Sequence, residues 1–438
     1  MIKRIGFVSL GCAKNLVNSE QMMYLLSEAG YDVSGETENV DAVVVNTCGF
    51  IDSAKSEAIE VILDLAQAKV AGSVGKIIVT GCLAQRYKQE ILNELPEVDA
   101  VCGTGSYNRI VSVVQRVLDG MTVSEYGDIN ASEPELGRIL TTSPLWEYIK
   151  IAEGCDNRCA YCVIPSLRGR YRSRKMEDII AEAETLAESG VRELIVIAQD
   201  ITRYGKDLYG KRMLSELLRA LCKIDGFEWI RLHYLYPDEI DDELIDIIAG
   251  ENKILKYLDI PIQHINDGIL KTMCRRGSGK DIRELFAKLR ARIPGLVLRT
   301  SLITGLPGEG EEEFEELCRF LKEAKIERAG VFPYSPEEGT PAASMDRPDS
   351  DTAARRAELV MDIQNEIMDE YCESRIGTTV TVLVEEFDGT YYTGRSYAES
   401  PDIDGHITFT SEEIIDGDFA RVMITGVDDG EPVGVAVV

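Results

Sequence analysis

Six of the chain's 11 cysteines stand where thiol chemistry is the simplest explanation. The stretch AEGCDNRCAYC places Cys155, Cys159 and Cys162 within eight residues, in the spacing C-x3-C-x2-C. One tight loop of that spacing can present three thiolates to one face of a metal cluster. Zinc usually takes paired C-x-x-C ligands plus two more Cys or His. This chain has no second C-x-x-C and no histidine near the loop. Polar Asp156, Asn157 and Arg158 between the thiols argue against a chance group of buried cysteines. Ligand softness and spacing favour iron–sulfur ligation, with zinc or structural thiols as the alternative. A closed tetrahedral site needs a fourth ligand, and the loop supplies three.

A second set is dispersed. Cys12, Cys48 and Cys82 follow the strand-like runs RIGFVSLG, DAVVVNT and KIIVTG at intervals of 36 and 34 residues. Parallel strands bring their C-terminal ends to one sheet edge, where ligands bind. Three thiols distant in sequence can therefore converge as ligands. Cys102 follows a fourth run, VDAV, and reads as a core or spare thiol. Cys222, Cys274, Cys318 and Cys372 lie on helical patterns and read as core residues. His233, His264 and His406 are scattered and read as structural or surface residues. RRGSGKD lacks the spacing of a phosphate-binding loop, and EGEEEFEEL reads as a solvated helix face.

The elements that must position these residues fall into an α/β pattern. In the first region strands alternate with helices, which predicts a parallel sheet. The helix after Cys12 buries Met22, Leu25, Leu26 and Ala29, with Gly30 placed to end it. A single helix, AQRYKQEILNEL, is expected after Cys82, stopped by Pro96. A linker rich in Pro and Gly follows. Six strand candidates come next: WEYIKIA, ELIVIAQ, WIRLHYLY, YLDIPIQ, LVLRTSLITG and GVFPYS. Six βα units in about 200 residues predict a full or partial barrel. The tail holds four short strands, TVTVLVEEF, YYTGRSYA, HITFT and ARVMITGV, joined by Asp/Gly turns. That is the pattern of a small antiparallel β-barrel. The expected segments are 1–127, a linker at 128–144, 145–370 and 371–438.

Composition narrows the function. The net charge of −29 opposes binding to phosphate backbones or acidic lipids and favours a basic partner. Residues 371–438 alone carry 14 acids and 3 arginines, a net of −11. No apolar run approaches the roughly 18 residues of a membrane span, and no secretory leader is visible. A cytoplasmic location is expected, where clustered cysteines serve metals or redox chemistry more often than disulfides.

The cysteine loop closing a first barrel strand, together with TSLITGLPGEGEEEF, resembles the radical S-adenosylmethionine (SAM) superfamily. In that family three cysteines hold a 4Fe–4S cluster, and the amino and carboxylate groups of SAM bind the open iron. One electron then cleaves the sulfonium bond, giving methionine and a 5′-deoxyadenosyl radical that removes unactivated hydrogen. The resemblance implies that Gly305, Pro307 and Gly308 approach the adenine and that Gln199 and Asp200 contact the methionine moiety. For Gln199 and Asp200 a helix-cap role stays open. Tyr161, Gln263 and Arg299 are further SAM-site candidates of this kind.

The pair of cysteine triads resembles the radical SAM methylthiotransferases, which carry two 4Fe–4S clusters. The likeness extends over the whole chain: a two-layer N-terminal domain, a partial (β/α)6 barrel and a C-terminal TRAM β-barrel. SLGCAKNLVNSE, YLDIPIQHIN and VFPYSPEEGTPAA point to the branch that modifies an aspartate of the twelfth small-subunit ribosomal protein. The tRNA branch tends to carry Arg where Glu337 or Glu338 stands. The resemblance implies that Cys155, Cys159 and Cys162 hold the SAM-cleaving cluster. Cys12, Cys48 and Cys82 would hold a second cluster that carries the sulfur. It implies a basic ribosomal protein as substrate, a reducing electron donor, no membrane and no direct nucleic-acid binding. The acidic tail agrees, since a tRNA-binding domain gains affinity by neutralising phosphates. Two alternatives stay open: a tRNA adenosine methylthiotransferase, for which RGRYRSRK (168–175) is the cationic candidate, and a non-catalytic iron–sulfur electron carrier or redox sensor.

Overall fold

The computed structural model describes residues 2–132, 134–415 and 417–437. Met1, Glu133, Asp416 and Val438 lie outside the described residues; the outer ends of the expected segments and one linker position fall on them.

The first sheet is parallel throughout. Its strands are β1 (Arg4–Ser9), β2 (Asp32–Ser34), β3 (Ala42–Thr47), β4 (Ile77–Gly81), β5 (Ala100–Cys102) and β6 (Val123–Glu125), in the order β2-β1-β3-β4-β5-β6. The central runs AVVVNT and IIVTG are buried on both faces, as a covered parallel sheet requires. Met22, Met23 and Leu26 of the helix Ala13–Glu28 pack one face with Val113, Val114 and Val117. Ala58, Ile62 and Leu65 of the helix Asp52–Ala71 pack the other. The domain thus has three layers rather than the two expected. The short edge strands β2 and β6 carry too little periodicity to read from sequence. The expected single helix after Cys82 is two, Cys82–Tyr87 and Gln89–Glu94, broken at Lys88, which adopts φ +49°. The break lets Leu83, Ala84 and Ile91 all reach the same core.

The second sheet, also parallel, runs β14-β13-β12-β11-β10-β7 and stays open between its end strands. In chain order it comprises β7 (Trp146–Lys150), then the two-residue pair β8 (Ala152–Glu153) and β9 (Arg172–Ser173) outside it, then β10 (Glu193–Ile197), β11 (Trp229–Leu232), β12 (Ile254–Asp259), β13 (Val297–Thr304) and β14 (Arg328–Pro333). This is the partial six-stranded barrel. Alternation divides its side chains: Leu194, Ile230, Leu258 and Leu298 face the helical layer, so Glu193, Arg231, Tyr257 and Arg299 face inward.

The tail closes into a five-stranded barrel ordered β15-β16-β17-β19-β18. Its strands are β15 (Thr379–Phe387), β16 (Tyr392–Arg395), β17 (Ile407–Thr410), β18 (Phe419–Asp428) and β19 (Glu431–Ala436). One strand more than expected is present: β19 contains Pro432 and Gly434, residues that argue against a strand in sequence. It pairs antiparallel with β18 but parallel with β17, so the barrel is not purely antiparallel.

This small barrel is seated on the large one. Arg231 Nη1 donates to the Tyr397 carbonyl at 2.9 Å and Tyr257 Oη to Asp404 at 2.5 Å. Arg395 pairs with Glu193 at 2.8 Å. The inward charges of the large barrel are therefore matched by the tail. The linker is also anchored: Arg138 meets Glu20 at 2.5 Å and Glu147 at 2.7 Å.

Candidate functional site

The three dispersed cysteines converge because the strands before them end in register. Ser9 pairs with Asn46, and Asn46 with Thr80. The turns that follow then interlock through missing side chains. A Cβ on Gly11, which has φ +91°, would lie 2.7 Å from Cys48 Cβ and 3.2 Å from its sulfur. A Cβ on Gly49 would lie 2.9 Å from the Cys82 carbonyl carbon. Asn15, one turn into the first helix, donates to the Leu10 and Thr47 carbonyls at 2.9 and 3.0 Å. Cys12 is solvent-exposed.

Cys155, Cys159 and Cys162 lie on the loop between β8 and the short helix Ile164–Arg168. Ala160 N donates to Met273 O at 2.9 Å and Cys162 N to Cys159 O at 3.0 Å. Arg275 points its guanidinium at this loop, 3.8 Å from Cys159 Sγ and 3.0 Å from Tyr161 Oη.

The two triads are linked through the helix Ile164–Arg168. Cys82 packs against Val163 and Leu167, which flank the start and end of the helix that follows Cys162. Arg168 at that helix end donates from Nε to Cys82 Sγ at 3.4 Å. Its other nitrogens reach Asn15, Asn18 (2.8 Å) and Glu153 (3.3 Å). Glu153 also takes Lys150 at 3.0 Å and the Gln199 amide at 2.7 Å. Burial raises Glu153's proton affinity, but Lys150 and Arg168 outweigh it and hold the carboxylate well below its ordinary range.

Burial pushes the Cys155 thiol up to about 11. Burial, with the neighbouring Cys82 and Cys12, pushes Cys48 up to about 12. Cys82 and Cys162 are raised for the same first reason. Cys12 is also raised by burial, yet Lys14 and Arg168 more than offset it and hold it low. Thiols this hard to ionise become thiolates where a metal's charge replaces the proton. Among the described residues, no three His, Cys, Asp or Glu are grouped tightly enough for a single ion. A four-iron cluster binds each thiolate at a different iron, so its ligands stand farther apart. Three cysteines apiece are the soft donors such a cluster takes.

The SAM candidates are placed unevenly. Gln199 donates its amide to Glu153, two residues before Cys155, at 2.7 Å, and its buried Oε1 has no hydrogen-bond partner among the described residues. Asp200 caps the turn Ile201–Arg203 through the Thr202 amide at 3.1 Å and holds Asn157 at 2.8 Å. Gln263 adopts φ +71° just beyond β12. Arg299 pairs with Asp259 at 3.0 Å and faces Asp404 at 3.7 Å. Gly305 has φ +74°, and the atom that would crowd its Cβ, at 2.3 Å, is Ala353 Cβ. The close approach there is by a helix of this chain, Ser350–Ser374. Glu309 accepts from the Gly305 amide at 2.8 Å and pairs with Arg356 at 2.9 Å, fixing the turn that contains Pro307 and Gly308.

Residues 149–321 match the radical SAM superfamily, residues 4–103 the uncharacterized protein family UPF0004, and residues 376–437 the TRAM domain. The ribosomal protein uS12 methylthiotransferase RimO of Lachnoclostridium phytofermentans is 49% identical over 99% of this chain and 100% of its own length. The RimO of Pelotomaculum thermopropionicum is 50% identical over 97% of both chains. This chain belongs to the RimO methylthiotransferase family. As a radical SAM family member it uses a 4Fe–4S cluster and SAM. The fold agrees with the radical SAM methyltransferase TsrM from Kitasatospora setae (TM-score 0.57, 15% identity, 78% of this chain and 77% of that one). It also agrees with the cobalamin-dependent radical SAM enzyme OxsB (TM-score 0.51, 13% identity, 84% of this chain and 56% of that one).

Within the RimO frame, the remaining sequence readings sort by burial. Cys102 is buried, and burial pushes it up to about 12. Cys372 is buried, Cys222 and Cys318 are half-buried. Cys274 departs from its core reading: it is exposed, in a turn with φ +56°. His233 meets Ser400 at 3.0 Å and His264 faces Glu309 at 3.3 Å, both buried, while His406 is exposed. Ser278 and Asp281 of RRGSGKD form a helix capping box, which is why that stretch is not a phosphate loop. Sequence reasoning missed Arg168, Glu153, Lys14 and Arg275. No spacing rule selects them; the only signal was the cationic run containing Arg168.

Proposed function

We propose that this chain is the methylthiotransferase of ribosomal protein uS12, placing a methylthio group on the β-carbon of one aspartate. The observation that carries the reading is Arg168, at the end of the helix that follows Cys162, donating to Cys82 of the other triad and reaching Glu153. Cys155, Cys159 and Cys162 would hold the SAM cluster; Cys12, Cys48 and Cys82 would hold a second cluster. Bound there, SAM would supply the hydrogen-abstracting radical and the methyl group, and the second cluster the sulfur. The chain's own residues orient and shield. Arg275 sets charge beside Cys159, Gln199 offers its free carbonyl oxygen, and the Gly305–Glu309 turn is held for SAM. Tyr161, Asp200 and Gln263 would complete the SAM site, with Arg299, paired with Asp259, as a further candidate. The segments 1–127, 145–370 and 371–438 divide the work as second-cluster, SAM and docking units, joined at 128–144. The partners are a basic ribosomal protein and a reducing electron donor in the cytoplasm; no helix among the described residues is long and apolar enough to cross a membrane.

One position weighs against the tRNA reading. Glu337 is buried between Lys55 at 2.9 Å and Arg86 at 2.5 Å, a socket that an arginine would fill with a third positive charge.

The test is anaerobic reconstitution with iron, sulfide, reductant and SAM, offering uS12 or tRNA. Mass spectrometry should find the methylthio group on uS12; a modified tRNA beside unmodified uS12 overturns the assignment. Cys48→Ala with Cys82→Ala should lose one cluster's iron yet still form 5′-deoxyadenosine. Full iron content in that variant refutes the second cluster.

A further inference from the structure

Buried charge in this fold is almost fully matched. Among the described residues, seven of the eight buried Lys and Arg residues end on a carboxylate: Lys150 and Arg168 on Glu153, Arg231 and Arg395 on Glu193, Arg328 and Arg375 on Glu399, and Arg356 on Glu309. The eighth is Lys14. It is 8% exposed, and no carboxylate among the described residues lies within salt-bridge distance of it. Its Nζ rests 3.7 Å from the centre of the Tyr234 ring and 3.5 Å from the Ala198 carbonyl oxygen. A ring face and one long hydrogen bond occupy at most two of the three ammonium donors. Cys12 and Glu153 act on Lys14 from farther away, but no carboxylate meets its ammonium directly, and a buried cation gains from one that does.

The position is a joint between domains. Lys14 stands on the first helix two residues beyond Cys12, and Ala198 and Tyr234 lie just past the C-terminal ends of β10 and β11. Val17 of the same helix packs on the inward-facing Trp146, Tyr148, Ile195 and Ile197. Tyr234 holds φ +64°, a backbone state that bulky residues avoid unless the surroundings impose it. The strained residue is the one whose ring lies under the ammonium.

Which anion fits follows from the proposed reaction, on which this inference rests. The carbon that receives the methylthio group is bonded directly to the aspartate's carboxylate carbon. Any geometry that presents that C–H to the interior must also place the carboxylate there. The carboxylate of SAM is committed to the open iron by the family's mode of binding. We propose that Lys14 receives the side-chain carboxylate of the substrate aspartate and thereby distinguishes aspartate from asparagine.

The test uses the reconstituted holoenzyme and two peptides spanning the modified position of uS12, one with the aspartate and one with asparagine there. Direct binding and KM are measured for wild type, Lys14→Met and Lys14→Arg. Wild type should bind the aspartate peptide about 10- to 100-fold more tightly, the range for one charge-assisted hydrogen bond. Lys14→Met should lose that preference by weakening the aspartate peptide alone, and Lys14→Arg should keep most of it, with iron content equal in all three. Equal weakening of both peptides, or a preference that survives in Lys14→Met, overturns the assignment. So does an unchanged preference together with a shifted reduction potential of the second cluster, which would make that cluster the partner of Lys14. If wild type prefers the aspartate peptide but never methylthiolates it, the proposed reaction fails and the Lys14 assignment stands. If wild type turns the peptide over but binds both forms alike, the Lys14 assignment fails and the reaction stands.

Discussion

A single missing side chain decides whether the dispersed thiols can meet. Gly11 is both left-handed and too close to Cys48 for any Cβ. Gly11→Ala should therefore displace the Cys12 or the Cys48 turn, at a cost of about 1–3 kcal/mol in backbone strain alone. Iron per reconstituted chain should fall by one cluster's worth while the Cys155–Cys162 loop still loads; undiminished iron would contradict the interlocked turns. The cysteines themselves were legible in sequence because C-x3-C-x2-C is local. Their electrostatic partners were not. Arg168 and Glu153 meet only because a helix after one triad ends against the other.

At the scale of elements, the contact between the Asp52–Ala71 helix, the Cys82–Tyr87 helix and the loop after β14 is organised by one carboxylate. Glu337 is 2% exposed and shared by Lys55 and Arg86, with Ser335 donating to it at 2.5 Å. Glu337→Arg would bury like charges together, and Glu337→Gln would leave Arg86 without a carboxylate and Lys55 with Asp52 alone. Losing one side of a buried ion pair costs roughly 3–5 kcal/mol. Both variants should become sensitive to limited proteolysis near residue 337, with the arginine variant worse; equal resistance to wild type would show the contact to be dispensable. The strands and most helices of these elements were readable from apolar period and turn residues. The break at Lys88 and strand β19 were not, because a helix-favouring run and a Pro-Gly strand are each overruled by packing partners far along the chain.

Across the whole molecule, the tail is a fixed part of the barrel. Much of its acidity faces inward: Glu399 binds Arg328 and Arg375, Asp404 binds Tyr257, and Glu385 binds Arg395. Glu399 and Glu385 meet Arg375 and Arg395, which the net charge of −11 already counts, so these pairs leave it unchanged. Burial raises Glu399's proton affinity, but Arg375 and Arg328 outweigh it and bring it down to about 2 from an ordinary 4.5. A lowered carboxylate gives stability that is complete above its unfolded value and lost as pH falls through the folded one. For Glu399 the window is from roughly pH 5 to 2, and the stake is roughly 3 kcal/mol. In the apo chain, acid unfolding of the tail should steepen in that window, and Glu399→Gln should flatten it. An identical pH profile for the two chains would remove Glu399 from the interface.

The sequence by itself determined the α/β class and the six-stranded barrel, and it singled out two sets of cysteines, one by local spacing and one by recurrence after successive strands. The tertiary structure decided what surrounds those thiols. It closed the tail with a fifth strand and covered the first sheet on both faces. It turned seven buried cations onto carboxylates and left Lys14 without one. Charge pairing is a property of distance in space, and residues 14, 198 and 234 share no spacing that a sequence could announce.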